Sequence, residues 1–465
     1  MRHAGACGRT ILSGMAGAVA SSVVIVGGGA AAVCVAVALR ERALSSGSLA
    51  PRITVVGRES TVGRGVAYGR ADPHHRLNSP AGKMSVSTSE DDGFLRWLDQ
   101  TGWRDVDGRP AEAGSYVPRR VFGDYVEAQF HGLVAAAPDD VRFIEGDVVA
   151  VEPSSSGVTV VLADEIRLLA DSVILALGNP APARVASPAP GPSRQVDDPW
   201  APGALDDIAD SDRVLLVGTG LTMVDIATSL GRRVPGVRLT ATSRHLLLPA
   251  VHLSGPVPPG PGLIGESSTV RLGALISAFG RQLRVATNAG SPWQPVLDGV
   301  RPQIHALWPA LSAADRERFL THVARRWDVH RHRMALSVWD ELAGLLSSGA
   351  LTLSTPATVS AEKFDVIVNC TGPASLASRG WSPLVDSLLD SGVVAPDPTG
   401  IGFDADGSGA LVSASGVVSD HLFTLGAGLK GALWESVAIP EIRQVAARIA
   451  ERVVPPAGLP RTDAA

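Results

Sequence analysis

Apolar positions fall along this chain in short blocks that end at glycine. The first block is "SSVVIVGGGAAAVCVAVALRERAL", where the β-branched run Val23 to Val26 meets three glycines and then an apolar helical stretch. Such a run, without alternation, predicts a strand buried on both faces of a parallel sheet. The same punctuation returns at Val173 to Leu177 before Gly178, at Val214 to Val217 before Gly218, and at Val366 to Val368 before Gly372. A last strand and helix follow in "HLFTLGAGLKGALWESVAIPEIRQVAARIAERV". Pro440 cannot sit inside a helix, so this helix is expected to kink or restart there. One long stretch, "RGVAYGRADPHHRLNSPAGKMS" at residues 64–85, has neither a helical nor a strand period. A segment of that length is functional or disordered when it lies inside a compact domain.

The first block carries chemistry. Gly27, Gly29 and Ala32 match the pattern G-x-G-x-x-G/A between strand and helix. The first glycine permits the tight turn, the second lets backbone approach a pyrophosphate, and the small third residue lets helix and strand pack closely. The helix start adds N–H donors and a positive dipole end. The next strand, "RITVVGRES", departs from the pattern. An acid at its end should accept the ribose hydroxyls, and Gly57 stands there, leaving Glu59 to substitute.

Gly218 and Gly220 form a second G-x-G, about 190 residues on, with Thr222 opening the helix and Met223 in the third glycine position. The strand after it ends in Ser243 and Arg244 rather than an acid. An arginine there pairs with a 2′-phosphate, which favours NADPH over NADH; the alternative is a solvated strand-end charge. Two dinucleotide motifs imply two nucleotides, because hydride transfer needs donor and acceptor held face to face. The economical assignment is FAD in the first domain and NADPH in the second.

The fold class expected is therefore α/β, with two Rossmann-like dinucleotide-binding domains. The FAD domain is discontinuous, residues 21–205 plus 360–450, and the NAD(P)H domain, 210–358, is inserted into it. The Pro-rich "NPAPARVASPAPGPS" is read as an extended connector. A helical insertion at 255–345 includes "LSAADRERFLTHVARRWDV", read as one helix capped by Ser312. Residues 1–20 are expected to be a disordered leader and 451–465 a tail.

Composition narrows the class. A net charge of −5 argues against a nucleic-acid partner. Cys7, Cys34 and Cys370 form no Cys-x-x-Cys pair, which excludes a thioredoxin-type dithiol and suits a reducing, cytoplasmic setting. No run reads as a membrane span once the Gly-rich loops are discounted. His330 and His332, two apart in "RRWDVHRHRM", point to different sides of a helix, so no metal site is expected. That segment is either a basic face for a phosphate or acidic substrate, or a helix neutralised by salt bridges.

The blocks "VIVGGGAAA", "GRGVAYGRADPHHRLNSPAGKMS", "YVPRRVFGDYV", "VILALGNP", "VGTGLTMVD", "RRWDVHRHRM", "VNCTGP" and "GALWESVAIPEIR" together resemble the FAD/NAD(P)-binding proteins of the two-dinucleotide flavoprotein superfamily. More remotely, they resemble the N-hydroxylating and Baeyer–Villiger-type flavin monooxygenases. The resemblance spans roughly residues 22 to 445. It implies FAD, a reduced pyridine nucleotide and a redox reaction on a small molecule, without naming the substrate. It departs from the pattern at Gly57, at His245, and at Gly426-Ala427-Gly428.

Flavin chemistry asks the protein mainly to position the ring and tune its charge. Asn78 is the catalytic candidate, as a donor and acceptor near flavin N5, with Leu77, Ser79, Pro80 and Met84 forming a flavin-facing wall. A surface turn capped by Asn78 is the alternative. Arg119 is expected to hold the FAD pyrophosphate or a substrate carboxylate, or to be solvated. Gly178, Gly372 and Gly426 are further cofactor-binding candidates. Gly431, Ala432 and Leu433 are placed to stabilise charge on the flavin's pyrimidine edge, unless they are a plain helix cap. The function expected is an FAD-dependent, NADPH-consuming monooxygenase working through a C4a-(hydro)peroxyflavin. A flavin dehydrogenase or reductase without oxygen insertion is the alternative, and a non-catalytic nucleotide-binding protein the third.

Overall fold

A computed structural model describes residues 20–155, 157–186, 189, 191, 193–255, 257–263 and 270–456. The leader expected at 1–20 therefore lies almost wholly outside the described residues, as do parts of the connector and most of the tail.

Fourteen strands build three sheets among the described residues. In chain order they are β1 (Ser22–Val26), β2 (Arg52–Gly57), β3 (Val141–Glu145), β4 (Val148–Ser154), β5 (Gly157–Leu162), β6 (Arg167–Ala170) and β7 (Ser172–Leu175). They continue as β8 (Arg194–Val196), β9 (Arg213–Val217), β10 (Arg238–Thr242), β11 (Leu351–Ser354), β12 (Val366–Asn369), β13 (Ala410–Val412) and β14 (Val418–Thr424). The first sheet runs β13-β14-β7-β1-β2-β3 and is parallel except for the β13–β14 pair. The second runs β11-β10-β9-β12-β8, all parallel. A small antiparallel sheet, β4-β5-β6, hangs between β3 and β7.

The β-branched runs sit where their composition sends them. β1 pairs with β2 on one side and β7 on the other, with Val23 to Val26 buried. The helix Ala30–Ser46, almost all alanine and valine along its buried side, packs between this sheet and the last helix, Ile439–Val453. That last helix does restart at its proline: Pro440 occupies the first turn, where its missing N–H costs nothing. It runs to Val453, so residues 451–453 are helix rather than tail.

Two boundaries differ from the sequence expectation. β8 and β12 were assigned by position to the first unit, and both belong to the second sheet, β12 lying between β9 and β8. Either parallel sheet can accept a buried β-branched strand, so the run Val366–Asn369 does not carry its address. The insertion also ends earlier than 345. Met334 and Leu342 lie in the apolar core of the second unit, and the helix Leu336–Ser347 is the crossover leading to β11. The helix read through "LSAADRERFLTHVARRWDV" is in fact two, Ala313–His322 and Ala324–Arg331, separated at Val323. Ser312 caps the first, its hydroxyl accepting from the Asp315 N–H at 3.1 Å. No helix among the described residues is long and apolar enough to cross a membrane.

Candidate functional site

The two glycine turns are the same structure built twice. Gly27 and Gly218 follow their strands with φ of +116° and +117°. The Gly27 N–H donates to the Val56 carbonyl at 2.7 Å, and the Gly218 N–H to the Thr242 carbonyl at 2.8 Å. A Cβ on Gly27 would lie 2.2 Å from the Ala176 carbonyl oxygen, and one on Gly218 would lie 2.4 Å from that of Cys370. Both turns thus press against the backbone leaving a neighbouring strand, and only glycine fits. Gly29 and Gly220 then cap the helices Ala30–Ser46 and Leu221–Arg233, both at φ −85°. Ala32 and Met223, in the third positions of the two patterns, are fully buried.

The missing ribose acid has a steric reason. A Cβ on Gly57 would come within 3.0 Å of both the Cα and the nitrogen of Gly28. Here β2 approaches the glycine turn so closely that a side chain would require the turn's backbone to give way by a few tenths of an ångström. Glu59, the substitute expected from sequence, pairs with Arg70 at 3.1 Å. Gly178, Gly372 and Gly426 all have left-handed backbone, φ +70°, +87° and +65°, with open space where a Cβ would point.

The aperiodic segment 64–85 lies between the two units. His75 Nδ1 accepts from the Asp72 N–H at 3.1 Å, so Nε2 carries the proton and donates to Ser229 Oγ at 2.8 Å and the Asp225 carbonyl at 3.1 Å. Burial lowers the His75 pKa, which keeps the ring neutral. Arg119, which the sequence points at a pyrophosphate or a substrate carboxylate, is given a different partner. Its guanidinium meets Asp225 at 2.8 Å and donates to the Arg76 carbonyl at 3.1 Å. His252 Nε2 donates to the Asn78 carbonyl at 2.9 Å, and its ring lies 4.9 Å from that of Tyr116. Burial pushes the His252 imidazole down to about 4.

The proposed wall divides accordingly. Leu77 and Met84 point into the core of the first unit with Phe122 and Tyr125, so their side chains are not ligand-facing. Asn78, Ser79 and Pro80 remain half-exposed. Gly431 is packed so tightly that a Cβ would overlap the Asp397 carboxylate. Its carbonyl accepts from Trp308 Nε1 at 2.6 Å, and Ala432 and Leu433 border a cavity beside it.

Around the second turn, Ser243 Oγ shares a hydrogen bond with Thr219 Oγ1 at 2.9 Å, Thr222 is half-buried, and Arg244 is exposed. Sequence reasoning left out Arg325. Its guanidinium nitrogens lie 3.6 and 3.8 Å from the Cβ position of Gly220, and Nη2 reaches Thr219 Oγ1 at 3.5 Å. Only the cluster of cations in "RRWDVHRHRM" signalled it.

Arg331 and Arg333 of that cluster are neutralised by acids from outside its helix. Arg331 pairs with Glu435 at 3.1 Å and lies 3.6 Å from Glu441, which also pairs with Arg301 at 2.5 Å. Trp327 Nε1 donates to Glu435 at 2.7 Å. Arg333 pairs with Asp298 at 2.9 Å and covers the Trp293 ring at 5.0 Å. His332 is pushed down to about 4, chiefly by burial. The insertion is therefore bolted to the segment that follows Gly431. Cys34 and Cys370 are buried and burial raises both thiols, so neither offers a thiolate at neutral pH. Among the described residues no group of three or more histidines, cysteines or acids is placed to hold a metal.

Two parallel sheets carry matching glycine turns, and the segment 64–85, the Arg119–Asp225 pair and the Arg331–Glu435 pair join the two units of this α/β protein. A family model described as FAD-NAD(P)-binding matches residues 24–180. The chain shares its fold with the ornithine N-hydroxylase of Kutzneria sp. 744, at 15% identity and a TM-score of 0.60, covering 93% of this chain and 99% of that one. The reduced ornithine hydroxylase from Pseudomonas aeruginosa gives 14%, 0.58, 94% and 99% in the same order. An open structure of cyclohexanone monooxygenase gives 14%, 0.51, 93% and 87%. At such identities these are likenesses of fold. No curated protein gives a significant match to the chain.

Proposed function

We propose that the protein is an FAD-dependent, NADPH-consuming monooxygenase acting on a small molecule in the cytoplasm. The observation that carries this reading is the duplicated glycine turn, at Gly27 and Gly218, each closed by a carbonyl that leaves no room for a Cβ. A turn of that shape at a helix start leaves backbone N–H groups free for a pyrophosphate. One such turn serves FAD and the other NADPH, and the segment 64–85 together with the Arg119–Asp225 pair holds the two units in register. Similarity of fold to an N-hydroxylase and to a monooxygenase supports oxygen insertion over plain electron transfer.

Bound flavin supplies hydride acceptance and oxygen activation. The chain's own residues bind and orient. Gly27, Gly29 and Ala32 seat the first nucleotide. Gly218, Gly220 and Thr222 seat the second, with Arg244 toward its 2′-phosphate and Arg325 over its pyrophosphate. Asn78, Ser79 and Pro80, the half-exposed part of the 77–84 wall, would border the ring, and Asn78 is the group best equipped to exchange hydrogen bonds with it. The backbone of Gly431 to Leu433 would stabilise charge on the pyrimidine edge of a bound flavin.

Purified protein tests the reading. It should retain or take up FAD, be bleached by NADPH, and transfer one atom of ¹⁸O₂ to an accepted small molecule. A colourless protein that cannot be reconstituted removes the flavin reading. Delivery of every electron to peroxide or to another acceptor, with no labelled product in a broad amine, sulfide and ketone screen, replaces monooxygenase by oxidase or reductase.

A further inference from the structure

A cavity of about 330 Å³ opens beside Gly431, between the helical insertion and the last helix. Its lining includes Arg316 and Arg448, Asp397 and Asp404, and the apolar Pro309 and Leu433. The two arginines are underused. Arg448 Nε and Nη2 are buried without any hydrogen-bond partner, and so is Arg316 Nε. Arg316 otherwise donates to the Pro309 carbonyl at 2.8 Å and stacks over Trp308. Buried donors are ordinarily satisfied, and an orphaned guanidinium lining a cavity signals a missing acceptor.

The other polar groups do not supply it. Asp397 already accepts from the N–H groups of Thr399 at 2.8 Å and Gly402 at 2.7 Å, and from the Thr399 hydroxyl. His305 Nε2 is bonded to the Glu435 carbonyl. Asp404 is half-buried and feels the Arg316 charge, yet the orphaned nitrogens of Arg316 and Arg448 make no hydrogen bond to it. The two aspartates on the lining offset the two arginines, so a doubly charged phosphate meets more repulsion than a singly charged carboxylate. Proline and leucine surfaces suit a carbon skeleton.

We propose that this cavity binds a small monocarboxylic acid, its carboxylate held by Arg448 and Arg316. The binding site stands on the chain alone. That the acid is the substrate, set beside the flavin's pyrimidine edge, rests on the function proposed above.

Isothermal titration of the full-length, FAD-loaded protein tests the site, with hexanoate and benzoate as probes. Hexanamide, benzamide and inorganic phosphate are the comparisons. The carboxylates should bind saturably at one site, and the amides and phosphate at least tenfold more weakly. Arg448→Met should weaken carboxylate binding at least tenfold, and Arg448→Lys less. Arg316→Met gives an independent check should the Arg448 variant fail to fold. No carboxylate binding, equal binding of the amides, phosphate binding as tightly as the acids, or unchanged binding by a folded arginine variant overturns the proposal. Flavin content and melting temperature are recorded on the same samples. A protein that refuses FAD yet binds hexanoate sinks the flavin reading and leaves the site standing. A yellow protein that binds no acid does the reverse.

Discussion

Arg119 and Asp225 face each other across the two nucleotide-binding units, Nη1 to Oδ2 at 2.8 Å, with side chains only 17% and 9% exposed. A pair this sheltered differs from a surface salt bridge. Removing one partner leaves the other charge buried and uncompensated, at a cost of about 3 kcal/mol or more. Arg119→Ala and Asp225→Ala should each lower unfolding free energy by about that amount, while the double variant Arg119→Met/Asp225→Leu should recover most of it. Urea unfolding followed by tryptophan fluorescence measures this. Single-variant losses below about 1 kcal/mol would show that the pair does not hold the units together.

The twin turns predict separable losses. In Gly27→Ala the new Cβ meets the Ala176 carbonyl at 2.2 Å, and in Gly218→Ala that of Cys370 at 2.4 Å, in both cases with φ near +117°. Neither clash can be relieved by a rotamer change, because the obstacle is backbone. Each change should destabilise its unit by more than the 1–3 kcal/mol typical of a strained residue. Gly27→Ala should purify without flavin. Gly218→Ala should keep its flavin and lose reduction by NADPH. Flavin absorbance per protein and anaerobic reduction rate check the two claims, and loss of flavin in both variants alike would refute the assignment of one nucleotide to each turn.

Much of this was legible in the sequence, because glycine requirements are local. The run Val23–Val26 and Gly27, or Val214–Val217 and Gly218, states strand, turn and helix within a dozen residues. What was not legible depends on contacts distant in the chain. Nothing near Arg119 announces Asp225, more than a hundred residues on. Nothing in "RRWDVHRHRM" announces that Arg331 meets Glu435 or that Arg325 covers Gly220. The same holds for Leu77 and Met84. An apolar side chain in an aperiodic loop can face a ligand or the core, and Phe122 and Tyr125 settle it for the core. The departure at Gly57 was legible and its setting was not, since its close approach to Gly28 is visible only once β2 is laid beside the turn.

Two half-buried imidazoles make stability depend on pH. His252 and His332 are both pushed down to about 4, chiefly by burial, whereas an unfolded histidine titrates near 6.5. Between those values the unfolded chain binds more protons than the native one, so stability rises with pH there. The contribution is complete above about pH 6.5 and is lost as pH falls toward 4. Melting temperature should therefore drop across that window at constant ionic strength. His252→Gln, which keeps a donor for the Asn78 carbonyl, should flatten the slope. An unchanged pH profile in both His252→Gln and His332→Gln would mean that other groups set it.

Two arginines should divide the recognition of the second nucleotide. Arg244 is exposed just past β10, where the 2′-phosphate of NADPH would lie if the turn at Gly218 seats its pyrophosphate. Arg325 sits over Gly220 itself, against the feature that NADPH and NADH share. Arg244→Ala should therefore raise KM for NADPH while leaving that for NADH unchanged, removing the preference between them. Arg325→Met should raise both by a similar factor, about tenfold, equivalent to about 1.4 kcal/mol of binding. The double variant should show both effects together, since the two guanidiniums contact different parts of one ligand and have no common partner. Steady-state reduction of the bound flavin by each nucleotide supplies all the constants. Should Arg325→Met discriminate between NADPH and NADH, the pyrophosphate does not lie at Gly220. Should Arg244→Ala leave the preference intact, the strand-end charge is merely solvated.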